Sequence, residues 1–242
     1  MNQPLKIFIG YDGREAVVYH TMVNSIIRRS SVPVSFTPLA LNNFSNYTET
    51  HTDGSNQFIY SRFLTPYLAG YDGWALFVDG DMVVLEDIKE LFDLCDDSKA
   101  VMVVKHDYKT KIKEKYLGSK NEDYPRKNWS SVVLWNCGHP KNRQVTPEFI
   151  MSSTGAELHR FTWLDDDEIG ELPIEWNYLG NEYPVIAKPN LVHYTLGGPN
   201  FVEFATCDYA AEWHREHMLM DFSLQRNFWE WNTNGIEWDV LK

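Results

Sequence analysis

Cysteine is scarce and poorly placed for a framework. The 242-residue chain has three, Cys95, Cys137 and Cys207, odd in number, widely spaced and without a C-x-x-C pair. That excludes a disulfide scaffold and a cysteine-based zinc site, and fits a reducing cytoplasm. Long apolar runs are missing too: no stretch of 18 apolar residues occurs, and the leading MNQPLKIFIGYDG has neither a cationic start nor a small-residue cleavage site. The expectation is a protein neither exported nor membrane-spanning by its own signals. Positive charge is in deficit, with a net charge of −12 and a pI near 5.1. No long basic stripe offsets it, which excludes nucleic acid as a partner. Repeats and low-complexity linkers are absent, and nothing in the pattern specifies an oligomer.

What is present is core material. Apolar residues make up 43% and aromatics 14% of the chain, enough for one α/β domain over residues 1–242. Lys6 to Tyr11 reads as a buried strand. Glu15 to Arg29 follows as a helix, with Val18, Met22 and Ile26, then Val23 and Ile27, at four-residue spacing. Val32 to Leu41 is a second extended run, and the Asn-, Thr- and Ser-rich stretch from Asn42 to Asn56 is a loop. A helix is expected over Phe58 to Leu68, with Ile59, Phe63 and Tyr67 on one face and Ser61 and Arg62 elsewhere. Trp74 to Val78 is an apolar strand running into Asp79. Ile88 to Leu94 reads as a helix and Ala100 to Lys105 as a strand. This alternation predicts a mostly parallel central sheet flanked by helices. Further strands are expected at Val132 to Asn136 and up to His193, with helices over Pro147 to Phe161 and Tyr209 to Phe222.

The chemistry concentrates at Asp79-Gly80-Asp81. In an extended backbone alternate side chains point the same way, so the two carboxylates share one side at a strand's end. Such a pair calls for a cation, and hard oxygen ligands suit magnesium or manganese bound to phosphate oxygens. The carboxyl ends of parallel strands are where such sheets bind ligands. The triplet is also common turn chemistry. LFVDGDMVV fits equally the first motif of haloacid-dehalogenase-type phosphatases, with Asp79 as nucleophile. The basic segment from Lys105 to Lys127, with Lys109, Lys111, Lys113, Lys115, Lys120 and Arg126, reads first as a solvated loop; contact with an anionic acceptor or an anionic membrane surface stays open.

Several blocks, in order, resemble glycosyltransferase family 8, the glycogenin and bacterial galactosyltransferase group. YSRFLTPYLAGYDGWALFVDGDMVVLEDIKELF is similar to its Tyr-x-Arg helix followed by a strand ending in Asp-x-Asp. KIFIGYDGREAVVYHTMVNSI resembles its first strand and helix, and VVLWNCG its Phe-Asn-x-Gly strand. DDDEIGELP through WNYL resembles its Asp-Gln-Asp-x-Leu-Asn and Leu-Pro-x-x-Trp-Asn blocks. LVHYTLGGPNF resembles its His-x-x-Gly-x-x-Lys-Pro-Trp metal motif. The likeness covers most of residues 5–201. It implies a GT-A type nucleotide-diphospho-sugar transferase fold, with a nucleotide-binding half over about residues 1–107 and an acceptor and metal-completing half over about residues 128–242.

The resemblance implies that Asp79, Asp81 and His193 ligate manganese, with magnesium as the substitute, and that a UDP-sugar is the donor. It implies that Gly10, Tyr11 and Asp12 form the base and ribose pocket. Arg62, with Gly80, contacts donor sugar or phosphate, Asn136 bonds sugar hydroxyls, and Gly197 and Gly198 let backbone N–H groups approach the diphosphate. Asp166 falls at the family's sugar-binding aspartate and Asp167 at the glutamine on the reacting face of the donor, with Asp165 one residue away in register. These make Asp166 and Asp167 the candidate catalytic carboxylates. Trp129, Trp163 and Trp176 are candidate sugar platforms, with core packing as the alternative.

The chain departs from the family where Gly198 replaces a lysine and Asn200 a tryptophan, and Lys188 and Arg14 are the candidate replacements for the lost charge. The reaction implied is hexose transfer, with retention, to a glycan or lipid-linked acceptor. A non-catalytic sugar- or nucleotide-binding module is the reading outside enzymes. A sugar-nucleotide pyrophosphorylase shares the sheet type but needs a glycine- and lysine-rich loop that is not found near the N-terminus.

Overall fold

A computed structural model describes residues 3–107, 109–110 and 123–220 of the chain. Most of the basic segment, including Lys111, Lys113, Lys115 and Lys120, lies outside the described residues, as do residues 221–242, which hold the end of the expected last helix.

Continuous apolar runs make the strands of the main sheet: β1 (Leu5–Gly10), β2 (Val34–Leu39), β3 (Trp74–Val78), β5 (Val101–Val103), β6 (Val132–Asn136) and β7 (Ile169–Glu171). Their order is β2-β1-β3-β6-β5-β7. β1 runs parallel to both β2 and β3, and β5 parallel to β7. β6 is antiparallel to both its neighbours. The sheet is therefore mostly parallel, with one reversed strand. The Val-Val-Leu-Trp run of β6 is buried on both sides, so its pattern carries no sign of direction.

Residues along β3 alternate between two cores. Ala75 and Phe77 join one with Val133, Trp135 and Phe63, while Leu76 and Val78 join the other with Ile7, Met22 and Leu134. Helix α1 (Ala16–Arg29) buries Met22 and Ile26 on this second side and Val18 in a smaller cluster with Val83, Val192 and Trp213. Ile27, expected beside them, is 56% exposed, because it lies about 100° further round the helix. Helix α6 (Ala210–Met218) docks on α1 through the fully buried Glu216, which pairs with Arg29 at 2.9 Å and Arg28 at 3.2 Å.

Two expected helices differ. Phe58 to Leu68 is a 3-10 turn over Ser61–Leu64 followed by a single-turn α2 (Thr65–Leu68). The segment is enclosed, so Ser61 and Arg62 are buried along with Phe63. Pro147 to Phe161 is split into α4 (Pro147–Ser152) and α5 (Gly155–His159). Thr154 restarts the chain as a capping box with Glu157, so the Thr-x-x-Glu pattern ends one helix and opens the next.

A second sheet, β4-β9-β8, sets the site. β4 (Met82–Val84) pairs antiparallel with β9 (Leu191–His193), and β9 pairs parallel with β8 (Tyr178–Leu179). Its register places His193 opposite Met82. α3 (Ile88–Phe92) follows β4. Among the described residues no helix is long and apolar enough to cross a membrane.

The polar loop before Phe58 is held down by side chains. His51 stacks on Tyr60 with ring centroids 3.8 Å apart, and Tyr60 Oη donates to Asp53 at 2.6 Å. His51 Nδ1 lies 2.6 Å from a Glu49 carboxylate oxygen and Nε2 lies 2.7 Å from the Ser153 carbonyl oxygen. Both partners accept, so both ring nitrogens must carry protons. Burial opposes the cation, but the Ser153 carbonyl and the Glu49 and Asp53 carboxylates outweigh it and raise the His51 pKa.

Two outcomes follow. Phe77→Ala should cost about 3–5 kcal/mol in urea denaturation, with Phe77→Leu costing less. His51 has a raised folded pKa, so its stabilisation is complete below the ordinary histidine value and is lost as pH rises through the raised one. Limited proteolysis of the loop at residues 49–56 should accelerate across that rise, and His51→Gln should remove the pH dependence.

Candidate active site

Asp79 follows directly on β3, and its N–H donates to the Ser131 carbonyl at 3.0 Å, carrying the β3–β6 ladder one residue further. Asp81 precedes β4, and its carbonyl accepts from Tyr194 N at 3.0 Å, which ties β9 to the turn. His193 thereby reaches the two carboxylates: its Nε2 is 3.4 Å from Asp81 Oδ1 and 3.7 Å from Asp79 Oδ2. One ligand atom from each of Asp79, Asp81 and His193 lies within 4.8 Å of the others. Two carboxylates and one imidazole are a donor set suited to a divalent cation of the manganese or magnesium type, and the fold brings the Asp79–Asp81 turn to the end of the distant strand β9.

Arg62 completes the cluster. Its Nη1 contacts Asp79 Oδ1 at 2.8 Å and donates to the Ser130 carbonyl at 2.9 Å, while Nε donates to the Ile59 carbonyl at 2.9 Å. The guanidinium lies over Phe77 and Phe58, 5.1 and 5.5 Å from their ring centres. Only 5% exposed, it is a fixed charge at Asp79, and the expectation that Arg62 points to the helix's polar side is corrected. The pocket over the cluster is walled by Ser55 and Asn56 of the latched loop and by Ser130, His159 and Thr195.

The glycines have distinct uses. A Cβ on Gly80 would sit 2.5 Å from the Gly10 carbonyl oxygen, and one on Gly10 would sit 2.3 Å from the Phe58 ring. Gly80 needs hydrogen there so that the end of β1 can pass under the Asp79–Asp81 turn, and Gly10 needs it so that the Phe58 ring can lie against the strand's end. Gly197 has φ 149°, a conformation that side chains resist, and its N–H closes a turn on the Tyr194 carbonyl at 3.0 Å. Gly198 packs beside Val18 of α1, and Val18 also lines the groove formed by Gly10, Asp12 and Gly80. The loop after β1 and the Asp79–Asp81 turn thus border one groove, and Gly198 lies near Val18 of its wall.

Tyr11 is half-buried, edge-on to Tyr19 at 5.4 Å. The Asp12 carboxylate is engaged by Arg14 at 2.6 Å and by the Gln57 N–H at 3.1 Å. Burial opposes its ionisation, but the bonds from Arg14 and Gln57 hold its pKa below the usual carboxylate range. Of the two candidates for the missing lysine charge, Arg14 sits at this groove, and Lys188 pairs with Glu86 at 2.7 Å on the surface.

Three expected residues are not brought to the cluster. Asn136 pairs across the ladder with Trp74, while Val132 pairs with Val78, so Asn136 sits at the opposite end of β3 from Asp79. There its amide donates to the Lys99 carbonyl at 3.0 Å. Asp166 and Asp167 are exposed at the entry to β7. Asp166 pairs with Arg126, and the Asp167 carbonyl accepts from Lys99 Nζ at 2.8 Å. Lys141 lies 3.5 Å from Asp165 and 3.6 Å from Glu168. Asp165, Asp166 and Glu168 are thus paired with cations along the sheet's edge, while Lys99 engages only the main chain of Asp167. Trp163 stacks on Trp135 in the core and Trp176 is buried, so packing accounts for both, while Trp129 Nε1 donates to the His106 carbonyl.

Sequence reasoning missed His159 and Thr195. His159 Nδ1 is 2.7 Å from Ser130 Oγ, and burial, with the charge of Arg62, takes its pKa down to about 3, so it is neutral in the pocket wall. Nothing in its local pattern marks it. Thr195 lies within the HYTLGGP block, where its nearness to His193 was the available signal.

Gly80→Ala should destabilise the fold by about 1–3 kcal/mol and lower cation affinity with it, measured by thermal unfolding and by Mn2+ titration. Gly13→Ala, where an added Cβ meets nothing within 4 Å, should leave both near wild type.

The sequence profile of glycosyl transferase family 8 matches residues 13–198. Protein CDI of Arabidopsis thaliana is 48% identical over 223 residues, covering 88% of this chain and 86% of that protein. Among solved structures, the fold is similar to the glycosyltransferase GlyE of Streptococcus pneumoniae (TM-score 0.61, 16% identity, 94% of this chain) and to the bifunctional glycosyltransferase WbbM (0.57, 19%, 90%). The chain spans 63% of GlyE and 50% of WbbM. It is also similar to the galactosyltransferase LgtC, solved with donor and acceptor sugar analogues, with a TM-score of 0.55, 13% identity and coverage of 88% of this chain and 95% of that one. At these identities the structures speak for a shared GT-A fold, and the match of the profile and of the plant relative shows that this chain belongs to glycosyltransferase family 8.

Proposed function

We propose that the chain transfers a hexose from a UDP-sugar to a glycan or lipid-linked acceptor, with retention of anomeric configuration and with Mn2+ as the working cation. The observation that carries this is the convergence of Asp79, Asp81 and His193 within 4.8 Å, with Arg62 fixed 2.8 Å from Asp79. A divalent cation held by these three would neutralise the diphosphate and the charge developing on the departing nucleotide. The chain's own groups set the stage for it. Arg62 holds the Asp79 carboxylate in place through the 2.8 Å ion pair. The Gly197 N–H is held by the Tyr194 carbonyl, which leaves the Gly198 N–H of the same turn to offer a hydrogen bond to the diphosphate. Tyr11 and the loop after β1 supply a face for the base, and Arg14 lies in that loop, forked on the Asp12 carboxylate.

In this reading Asp166 and Asp167 are not assigned to the chemistry, since both face solvent at the sheet's edge. The dehalogenase-type reading of Asp79 is set aside on two grounds. The family match embeds LFVDGDMVV in a glycosyltransferase, and Arg62 and His193 occupy the neighbourhood of Asp79. A reducing compartment suits the three free thiols, and the basic segment around residues 105–127 supports peripheral contact with an anionic membrane.

Incubation with a panel of UDP-sugars should release UDP only when Mn2+ or Mg2+ is present. Asp81→Ala and His193→Ala should each abolish that release while leaving thermal unfolding close to wild type. Unaltered release in either variant removes that ligand, and phosphate released from sugar phosphates through an aspartyl-phosphate at Asp79 refutes the transferase reading.

A further inference from the structure

His193 enters the cluster through Nε2, so the proton on its ring must sit on Nδ1 for a lone pair to face a metal. The ring is almost fully buried and Nδ1 lies 3.1 Å from Asn177 Oδ1. Asn177 ends the 3-10 turn Ile174–Asn177 and is itself completely buried. Its Nδ2 is 2.8 Å from Ser131 Oγ and 3.3 Å from the Asn128 carbonyl oxygen. A carbonyl only accepts, and the Ser131 hydroxyl already donates to that same Asn128 oxygen at 2.7 Å. The amide nitrogen of Asn177 must therefore face Asn128 and Ser131, and its oxygen must face His193. An oxygen there accepts from Nδ1–H; the other tautomer would set two acceptors against each other in a buried place.

We infer that Asn177 is the positioning residue that fixes His193 in the Nδ1–H tautomer, leaving the Nε2 lone pair to a divalent cation shared with Asp79 and Asp81; this rests on the metal reading of that triad. The anchoring is economical in chain terms. Ser131, just before β6, receives the Asp79 N–H on its carbonyl and holds Asn177 by its hydroxyl. One residue thereby sets both an aspartate and, through Asn177, the histidine. Groups that hold the second nitrogen of a ligating histidine govern metal affinity as well as ring orientation.

The test uses the full chain with Mn2+ alone and no donor. Asn177→Leu removes the acceptor and should weaken Mn2+ binding about 10–100-fold, read by calorimetry or by the loss of free Mn2+ paramagnetic signal. Asn177→Asp keeps an acceptor on Nδ1–H, with the Ser131 hydroxyl free to turn and donate to it, and should stay within about tenfold of wild type. A long-range proton–nitrogen correlation spectrum of the metal-free wild type, taken where the ring is neutral, should show Nδ1 protonated and Nε2 bare. That arm needs no variant to fold. A protonated Nε2 in that spectrum overturns the inference, as does Asn177→Asp binding as weakly as Asn177→Leu. Failure is separable from that of the wider reading. A wild type that binds no Mn2+ overturns the metal triad and this role with it, whereas tight binding unchanged by Asn177→Leu overturns the role of Asn177 alone.

Discussion

Two carboxylates facing one another across a few ångströms, largely withdrawn from water, are stable as ions only with positive charge beside them. Asp79 and Asp81 are in that situation, and the surrounding architecture answers to it. Arg62 is carried to Asp79 by a buried 3-10 turn, with Phe77 and Phe58 beneath it and main-chain carbonyls holding its other N–H groups. His193 is carried to both by the β4–β9 register. The remaining space among their oxygens and Nε2 suits a cation that can also take phosphate oxygens.

That constraint explains features with no direct part in chemistry. Gly80 is hydrogen-sized where the turn crosses the end of β1, because a methyl group there would meet the Gly10 carbonyl at 2.5 Å, and Gly10 is so because the Phe58 ring under Arg62 lies against it. Reversal of β6 puts Ser130 and Ser131 at the same end of the sheet as Asp79, where their carbonyls receive the Arg62 and Asp79 N–H groups. The loop that walls the pocket is secured by a protonated His51 between Glu49 and Ser153, apart from the charges of the triad.

Much of this was legible in the sequence, and the failures are instructive. WALFV and VVLW declared buried strands through unbroken apolar runs, but such runs do not encode direction, so the reversal of β6 was not foreseen. For the same reason Asn136, at the end of an apolar strand like Asp79, looked like a site residue although the strand runs the other way. Asp166 and Asp167 looked catalytic from the family resemblance, and the cations beside this run, Arg126 on Asp166 and Lys141 near Asp165 and Glu168, come from distant segments and cannot be paired by eye. Thr154-x-x-Glu157 was a readable helix start inside what periodicity took for one helix. His193 was legible through its block of neighbours. His159 and the Asn177 hold on His193 were not, because both depend on backbone carbonyls and hydroxyls that only the fold assembles.

Anomalous diffraction at the manganese edge, from crystals grown with Mn2+ and UDP, tests whether Asp79, Asp81 and His193 jointly hold a divalent cation at the donor's diphosphate. One strong peak is expected, bonded to a carboxylate oxygen of each aspartate, to His193 Nε2 and to phosphate oxygens. A peak elsewhere, or UDP bound in the groove with no metal among these three residues, would contradict it.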